Sequence, residues 1–234
     1  MTRVSREGSA PALDGSALEL ETVFCSPGAE APLGGAERDT LLYVRDGEGT
    51  LTLAAEQHPL AAGTAALVPA GATATVSCET PALVLVEAAV GGGVDLHAPL
   101  GAAEAVSRLD AATAADATGA RSFQVLYGSH NGSLRATLFV GFIPPGRAPW
   151  HYHLYDEIVV VLAGTGRLHL RDAGSADDLA PGSAFRLRPR EIHIVENLSE
   201  TESLEVLGLF TPAGSPSAAY LEPDVLAEYV TASR

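Results

Sequence analysis

The sequence contains no lysine, and among its 234 residues it has one tryptophan, one methionine and two cysteines. The absence of lysine excludes Schiff-base chemistry and any mechanism with a lysine nucleophile. Cys25 and Cys78 are far apart and lack the spacing of a zinc ligand set, so two buried thiols are expected rather than a disulfide.

Long apolar runs are also missing. The run that begins at Leu83 stops at Glu87, and the run that begins at Ile158 stops at Gly164. Both are far shorter than the ~20 residues that a membrane-spanning helix needs. Residues 1–11 are polar and do not resemble a secretory signal. A cytoplasmic protein without a membrane partner is therefore expected.

Positive charge is scarce. Fourteen basic residues, all arginine, stand against 29 acidic ones, which gives a formal net charge of −15. A negative field of this size repels phosphate backbones, and the sequence has no basic arm or helix-turn-helix pattern. Nucleic acid is therefore not an expected partner. The hydrophobic fraction of 47% is enough to bury a core.

Glycine (24) and proline (15) are frequent and divide the chain into short segments rich in Val, Leu, Thr and Phe. Short strands separated by turn residues predict an all-β sandwich or barrel. Asn131 and Gly132 have the chemistry of a tight hairpin turn. Residues 102–115 are rich in alanine and contain no proline, which favours a helix. A second short helix is expected over residues 224–234.

An internal repeat organises the chain. Gly47 and Gly164 lie 117 positions apart, while Gly63 and Gly182, in the similar segments LAAGTA and LAPGSA, lie 119 positions apart. The sequence therefore predicts two copies of one β-rich unit of about 100 residues each, which fits ordinary domain sizes. We assign an N-terminal domain to residues 1–90, a short helical linker to 91–120 and a C-terminal domain to 121–234.

The second copy carries a set of metal-ligating residue types. His151, His153 and Glu157 share one face if the segment is a single strand, because side chains alternate along a strand. His193 would then come from a neighbouring strand. Three imidazoles and one carboxylate suit Fe(II), Mn(II), Co(II), Ni(II), Zn(II) or Cu(II), so one divalent transition metal is the expected cofactor. For an octahedral ion, four protein ligands leave two positions for water, substrate or dioxygen.

These residues have the spacing of the two sequence motifs of the cupin superfamily, which the chain closely resembles. Residues 146–164 read GRAPWHYHLYDEIVVVLAG, and residues 182–193 read GSAFRLRPREIH. Arg190 occupies a slot where the family commonly has glycine. The resemblance implies two tandem jelly-roll β-barrels, that is, a bicupin, with His151, His153, Glu157 and His193 as metal ligands.

The resemblance extends to the first copy, but the ligands do not. The slots that correspond to the four ligand positions hold Gly34, Ala36, Thr40 and Ala74. None of these side chains is a metal ligand of the kind the second copy offers. The first barrel is therefore expected to fold without an ion.

The resemblance implies a metal-dependent enzyme that acts on a small polar or aromatic molecule, and an Fe(II) dioxygenase is the favoured reaction class. A metal-dependent isomerase, hydrolase or decarboxylase and a non-catalytic small-molecule-binding protein are the alternatives. Tyr155 has the parity of the ligands and is a candidate catalytic residue, although packing at the barrel rim is an equal interpretation. Arg135 and Arg186 are candidate substrate-binding residues, although a solvated outer face is the alternative interpretation of both. Exposed strand edges would allow a homodimer.

Overall fold

Strands dominate the computed structural model, which describes residues 5–6, 16–80, 83–91, 93–117 and 120–221. The strands are β1 Ser5–Arg6, β2 Leu18–Cys25, β3 Glu30–Leu33, β4 Asp39–Asp46, β5 Glu48–Leu53, β6 Glu56–Ala61, β7 Thr64–Val68, β8 Ala74–Cys78, β9 Leu83–Val90, β10 Val106–Arg108, β11 Ala115–Asp116, β12 Ser122–Tyr127, β13 Thr137–Ile143, β14 Gly146–Arg147, β15 His151–Tyr152, β16 Asp156–Ala163, β17 Gly166–Leu170, β18 Ser175–Leu179, β19 Ser183–Leu187, β20 His193–Asn197, β21 Leu204–Thr211 and β22 Tyr220–Leu221. Among the described residues, one 3₁₀ turn spans Ala111–Thr113. No helix in the described part of the chain has the length and apolar character to cross a bilayer.

The strands form two barrels, each made of two facing antiparallel sheets. In the first barrel, a five-stranded sheet with the order β10-β7-β4-β9-β2 faces a four-stranded sheet with the order β3-β8-β5-β6. In the second, a seven-stranded sheet (β1-β19-β16-β21-β13-β12-β11) faces a six-stranded one (β18-β17-β20-β15-β22, with β14 also on β20). The predicted all-β fold of two tandem jelly-roll barrels is confirmed.

The duplication predicted from the sequence is visible in the strand registers. In the first barrel Gly49 pairs with Cys78, and in the second Gly166 pairs with Asn197. Gly49 and Gly166 lie 117 positions apart, and Cys78 and Asn197 lie 119 positions apart. These are the offsets that relate the two copies in the sequence. An added Cβ at Gly49 would lie 2.3 Å from the main-chain oxygen of Ser77, so the tight approach of the two strands requires glycine there.

Three large apolar clusters stabilise the molecule. One lies inside each barrel, and the largest joins the five-stranded sheet to the seven-stranded sheet, with Leu41 and Tyr43 on one side and Leu138 and Ile158 on the other. Because of this third cluster, the central strands of these two sheets are buried on both faces. The barrels therefore pack against each other through an extended apolar face.

The helix predicted over residues 102–115 is wrong. Residues 106–108 form strand β10, which pairs with the edge strand β7, and the amide of Leu67 donates to the carbonyl of Ala105 at 3.3 Å. Pairing with an open sheet edge thus outweighs the helix propensity of alanine in this segment. The helix predicted over residues 224–234 lies outside the described residues, and the domain boundaries stay predictions.

The N-terminal strand β1 crosses to the other unit. It pairs with β19 of the second barrel, just as β10 from the connecting segment pairs with β7 of the first. Each barrel therefore has one sheet edge covered by a short strand that precedes the other barrel in the chain. β12 and β13 pair as predicted, but the tight turn predicted at Asn131 and Gly132 is wrong, because nine residues separate the two strands. Both cysteines are free and buried, as predicted.

Candidate metal centre

The four predicted ligands come from both sheets of the second barrel. His151 on β15 is the direct cross-strand partner of His193 on β20 in the six-stranded sheet. Glu157 lies on β16 in the seven-stranded sheet, opposite Leu187 and Phe210. The expectation that one strand carries His151 through Glu157 is therefore corrected. The chain passes from one sheet to the other between β15 and β16, and the four side chains line one cavity.

The three histidines are close enough to bind one ion. One ring nitrogen of each lies within 4.8 Å of the others, and the relative exposures of His151, His153 and His193 are 2%, 6% and 2%. Two metal–nitrogen bonds of about 2.1 Å separate their nitrogens by at most ~4.2 Å, so small side-chain adjustments would complete the geometry. Within the described residues this is the one cluster with such an arrangement.

Backbone carbonyls set the tautomers of two of these imidazoles. His151 Nδ1 lies 2.9 Å from the carbonyl oxygen of Pro149, and His193 Nδ1 lies 2.8 Å from that of Glu191. Because a carbonyl only accepts, each Nδ1 carries the proton and donates. The Nε2 atoms therefore present lone pairs, which is the form in which histidine binds metals.

His153 and Glu157 supply a further reason to place an ion here. His153 Nδ1 is buried and has no hydrogen-bond partner among the described residues. It lies 3.3 Å from Glu157 Oε2, without hydrogen-bond geometry. A buried imidazole nitrogen without a partner, beside a buried carboxylate, fits a cation that binds both.

Burial shifts the pKa values of the four predicted ligands so that the neutral form of each side chain is favoured. It lowers the pKa of His151 to about 4 and that of His153 to about 3, and it lowers the pKa of His193 as well. The imidazoles are therefore neutral at pH 7 and ready to bind a cation. Burial raises the pKa of Glu157 to about 8, although the nearby Arg121 guanidinium opposes this shift.

Tyr155 lies in the same cavity, as its parity predicted. Its ring stacks between His153, with centroids 4.5 Å apart, and Phe210, at 3.9 Å. Its hydroxyl donates to the carbonyl of Pro216 at 3.5 Å. Burial raises the pKa of this phenol, so it is a proton donor and not a base near neutral pH. Its catalytic role stays a prediction.

The structure places Arg135 and Arg186 away from the cavity. Arg186 is 0% exposed, donates to the carbonyl of Leu18 at 2.6 Å and lies 3.6 Å from Asp156. Arg135 lies 3.3 Å from Asp39. Both arginines therefore join the two barrels, and their assignment to substrate binding is corrected. The alternative of a solvated outer face for Arg186 is also wrong, because the first barrel covers that face.

Arg121 is a site residue that the sequence patterns did not indicate. It directly precedes β12, and its Nη1 lies 3.3 Å from His151 Nε2. The residue has no motif around it and lies 30 positions before His151. The β11–β12 hairpin at the sheet edge brings it to the cavity, and only knowledge of the strand pairing would have revealed it.

The cavity that these residues line is small and mostly apolar. It has a volume of about 90 Å³. The histidines, Glu157, Tyr155 and Arg121 gather on one part of its wall. The remainder is largely apolar and includes Phe123, Phe139, Val159, Leu187, Val195 and Val206. An apolar cavity with convergent polar groups is typical of a small-molecule site.

Comparison with known protein families supports the resemblance. The model of the cupin domain family matches residues 138–210, which include all four predicted ligands. Auxin-binding protein T85 of Nicotiana tabacum is 35% identical over 74 residues, which are 28% of this chain and 40% of the relative. Auxin-binding protein T92 of the same plant is 32% identical over 78 residues, or 30% and 42% of the two chains. The chain thus matches less than half the length of these relatives.

Solved structures align with much more of the chain. A mutant of oxalate decarboxylase from Bacillus subtilis aligns over 100% of this chain and 81% of its own, with a TM-score of 0.72 and 15% identity. Salicylate 1,2-dioxygenase from Pseudoaminobacter salicylatoxidans aligns over 92% and 74%, with a TM-score of 0.66 and 11% identity. A cupin 2 conserved barrel domain protein from Leptotrichia buccalis aligns over 91% and 89%, with a TM-score of 0.62 and 14% identity. At these identities the likeness concerns the fold.

Proposed function

Starting from a bicupin of the cupin superfamily with one candidate metal centre, we propose that this protein is a metal-dependent enzyme acting on a small molecule in its second barrel. The observation that carries the proposal is the enclosed cluster of neutral imidazoles beside Glu157. His151, His153, His193 and Glu157 would hold one divalent transition ion. When bound, this ion supplies Lewis-acid polarisation of a substrate oxygen and, for a redox-active metal, electron transfer.

The residues around the ligands have separate roles in this proposal. Phe123, Phe139 and Val206 exclude water from the reacting centre, which strengthens every electrostatic interaction there. Tyr155 keeps its proton at Oη, and this proton would orient a substrate oxygen that replaced the carbonyl of Pro216 as the acceptor of its long 3.5 Å hydrogen bond. Its ring also fixes His153 by stacking.

We favour an oxygenase with Fe(II) as the reaction class. Three imidazoles and one carboxylate suit iron, and an octahedral ion with four protein ligands has two sites left for exchangeable groups. A decarboxylase, isomerase or hydrolase would use the same ligands without consuming oxygen. The identity of the metal and the consumption of oxygen during turnover therefore distinguish these reaction classes, and both can be measured.

Elemental analysis of the full chain, purified without a chelating tag, tests the first step. One transition ion per chain is expected, and two ions per chain, or none after incubation with each of the six candidate metals, would contradict the proposal. Oxygen uptake by the iron-loaded chain with a panel of small acids, phenols and keto acids then tests the reaction class. Turnover without oxygen uptake would favour the other enzyme classes.

A non-catalytic binding protein is the second candidate, and the local match to proteins named as auxin-binding favours it. This candidate expects one tightly held small molecule and no chemical change in it. Mass spectrometry of the ligand before and after long incubation with the metal-loaded chain separates the two candidates. The cytoplasmic location and the homodimer remain predictions.

A further inference from the structure

The cavity wall on the seven-stranded sheet contains a notch, where two buried glycines leave space that side chains would fill. Gly208 on β21 lies on the same face of the sheet as Val206, which lines the cavity, because side chains alternate along a strand. A Cβ added at Gly208 would collide with Cε1 and Cζ of Phe139 and would lie 3.1 Å from Oε1 of Glu157. A Cβ added at Gly141 on β13 would lie 3.4 Å from Cε2 of Phe139. The phenyl ring of Phe139 therefore occupies this notch.

Aromatic neighbours hold the ring of Phe139 in the notch. Phe139 is buried, and its ring makes edge-to-face contacts with Phe123, at a centroid distance of 6.4 Å, and with Phe210, at 5.9 Å. This geometry is favourable for aromatic pairs beyond the burial of apolar area. Close-packed neighbours also leave little space for another rotamer. Phe139 is therefore a fixed part of the cavity wall.

The notch lies beside the predicted metal ligand Glu157. Gly208 is the cross-strand partner of Phe139 on one side and of Val159 on the other. The next pair on the same face of the sheet joins Phe210 to Glu157. The carboxylate of Glu157 and the ring of Phe139 are thus neighbours on one wall of the cavity. A guest that binds the ion with one end therefore has the ring of Phe139 beside the rest of its body.

The space that remains beside the ring is small. The cavity volume of about 90 Å³ is well below the roughly 150 Å³ of an engineered cavity that admits benzene. In proportion, the cavity suits a guest of about four non-hydrogen atoms. Any guest with an aromatic ring would have to displace part of the wall, and the ring of Phe139 is the part nearest to Glu157 that has the size of such a guest.

We propose that Phe139 sets the size limit of the substrate, and that the substrate is a small aliphatic molecule with an oxygen for the ion. This inference rests on the proposed function, since it names the substrate class of the same site. Phe139 is then a specificity-determining residue, which takes no part in the chemistry and excludes aromatic molecules from the cavity.

The test uses acetohydroxamate and benzohydroxamate, which bind a metal ion through the same group but carry a methyl group and a phenyl ring, respectively. Both are titrated calorimetrically against the full chain loaded with Co(II). Because extra volume in a filled interior is unfavourable, the wild type should bind acetohydroxamate roughly 5- to 150-fold more tightly. Phe139→Ala removes from the wall the same phenyl ring that benzohydroxamate brings. In this variant the preference should fall below about twofold or reverse, while the cobalt content stays at the wild-type value.

Phe139→Leu and Phe185→Leu form a matched pair of milder variants. Phe185 is fully buried in the apolar cluster of the same barrel but does not line the cavity. Phe139→Leu should show a preference between those of the wild type and Phe139→Ala, whereas Phe185→Leu should keep the wild-type preference. A wild-type chain that binds both hydroxamates equally, a Phe139→Leu chain with the wild-type preference, or an equal change in Phe185→Leu would overturn the inference.

Benzene binding by the metal-free chain separates this inference from the proposed function, because benzene needs no ion. Calorimetry should detect no benzene binding by the wild type, whereas Phe139→Ala should bind benzene as an engineered apolar cavity does. If the chain refuses every metal and only the Phe139→Ala variant binds benzene, the metal-dependent enzyme is refuted and Phe139 remains the size limit. If the chain takes up metal but wild type and variant treat benzene and the hydroxamates alike, only the role of Phe139 is refuted.

Discussion

The two barrels have equivalent strands in equivalent registers, yet only the second carries histidines at the positions where its sheets meet. His193 begins β20, and Ala74 begins the corresponding strand β8 of the first barrel. Both strands pair with their neighbours through the same glycine contact. The first barrel thus forms the same sheets with small residues in these positions. The fold of the first barrel therefore does not require histidines at these positions.

The faces by which the barrels touch also correspond. Asp39 begins β4 and contacts Arg135, while Asp156 begins β16 and lies near Arg186. The first pair crosses between the barrels, whereas Asp156 and Arg186 both belong to the second barrel, and Arg186 reaches the first barrel by donating to the carbonyl of Leu18. The inter-barrel contact therefore combines a large apolar area with one ion pair, Arg135–Asp39, and this hydrogen bond.

His193→Ala gives the second barrel the residue that the first barrel has at the equivalent position, Ala74. This substitution should have the largest effect. We expect metal affinity to fall by more than about 100-fold, because changing a residue that only hydrogen-bonds to a metal ligand already costs 10- to 100-fold. The far-ultraviolet circular dichroism should stay that of the wild type, since the first barrel folds with alanine at this position. Metal content after dialysis, measured by elemental analysis, provides the readout.

His97→Ala is the control for that experiment, because His97 is exposed and lies outside the cavity. It should keep the full metal content. Unfolding of the His193→Ala chain would instead show that the ion is structural, and retained metal would remove His193 from the ligand set.

A histidine cannot be introduced into the first barrel at the position equivalent to His151. That position is occupied by Gly34, whose backbone does not accept a side chain. Its φ is +99°, and an added Cβ would lie 2.4 Å from the main-chain oxygen of Ala72. We expect Gly34→Ala to lower the free energy of unfolding by about 3 kcal/mol, from left-handed strain and overpacking together. Urea denaturation measures the loss.

Gly35→Ala tests whether this cost is specific to position 34. A Cβ at Gly35 would meet nothing within 4 Å. The substitution should change the free energy of unfolding by less than about 0.5 kcal/mol. Equal losses for the two variants would show that the first barrel excludes a ligand for a reason other than backbone geometry.

The motif spacing predicted that His151, His153 and His193 meet, because glycines fix the register of the strands that position them. Arg121 could not be found in this way, since its approach to His151 depends on the pairing of an edge hairpin. The alternation of side chains along β19 correctly placed Arg186 and Phe185 on opposite faces of the sheet. It could not show that the first barrel covers the face that carries Arg186. Likewise, alanine content in residues 102–115 predicted a helix where an open sheet edge was available for pairing.

Arg186→Leu places at the inter-barrel contact the residue that the first barrel has at the equivalent position, Leu67. We expect a loss of about 2 kcal/mol in the free energy of unfolding, below the usual cost of breaking a fully buried pair. The reason is that Asp156 keeps its 2.5 Å hydrogen bond from the Ser16 hydroxyl and remains 18% exposed.

A double variant and a surface variant check this account. Arg186→Leu combined with Asp156→Asn should recover part of the loss, because it removes the uncompensated charge. Arg167→Leu breaks an exposed ion pair and should cost about 0–1 kcal/mol. An equal cost for Arg186→Leu and Arg167→Leu in chemical denaturation would argue against the contact between the barrels as a source of stability.

Metal uptake should depend on pH because of Glu157, whose counterpart in the first barrel is Thr40. Burial raises the pKa of Glu157 to about 8 in the metal-free chain, so the carboxyl is protonated at pH 6 to 7. Binding must then release that proton, and the affinity should rise about tenfold per pH unit up to pH 8 and level off above it. The histidines do not contribute to this slope, because burial lowers the pKa values of His151 and His153 to about 4 and 3.

Calorimetric titration with Mn(II) at several pH values, in buffers of different ionisation enthalpy, measures both the affinity and the released proton. Glu157→Gln should bind more weakly and lose the slope between pH 6 and 8, whereas an unchanged slope in that variant would assign the proton to another group.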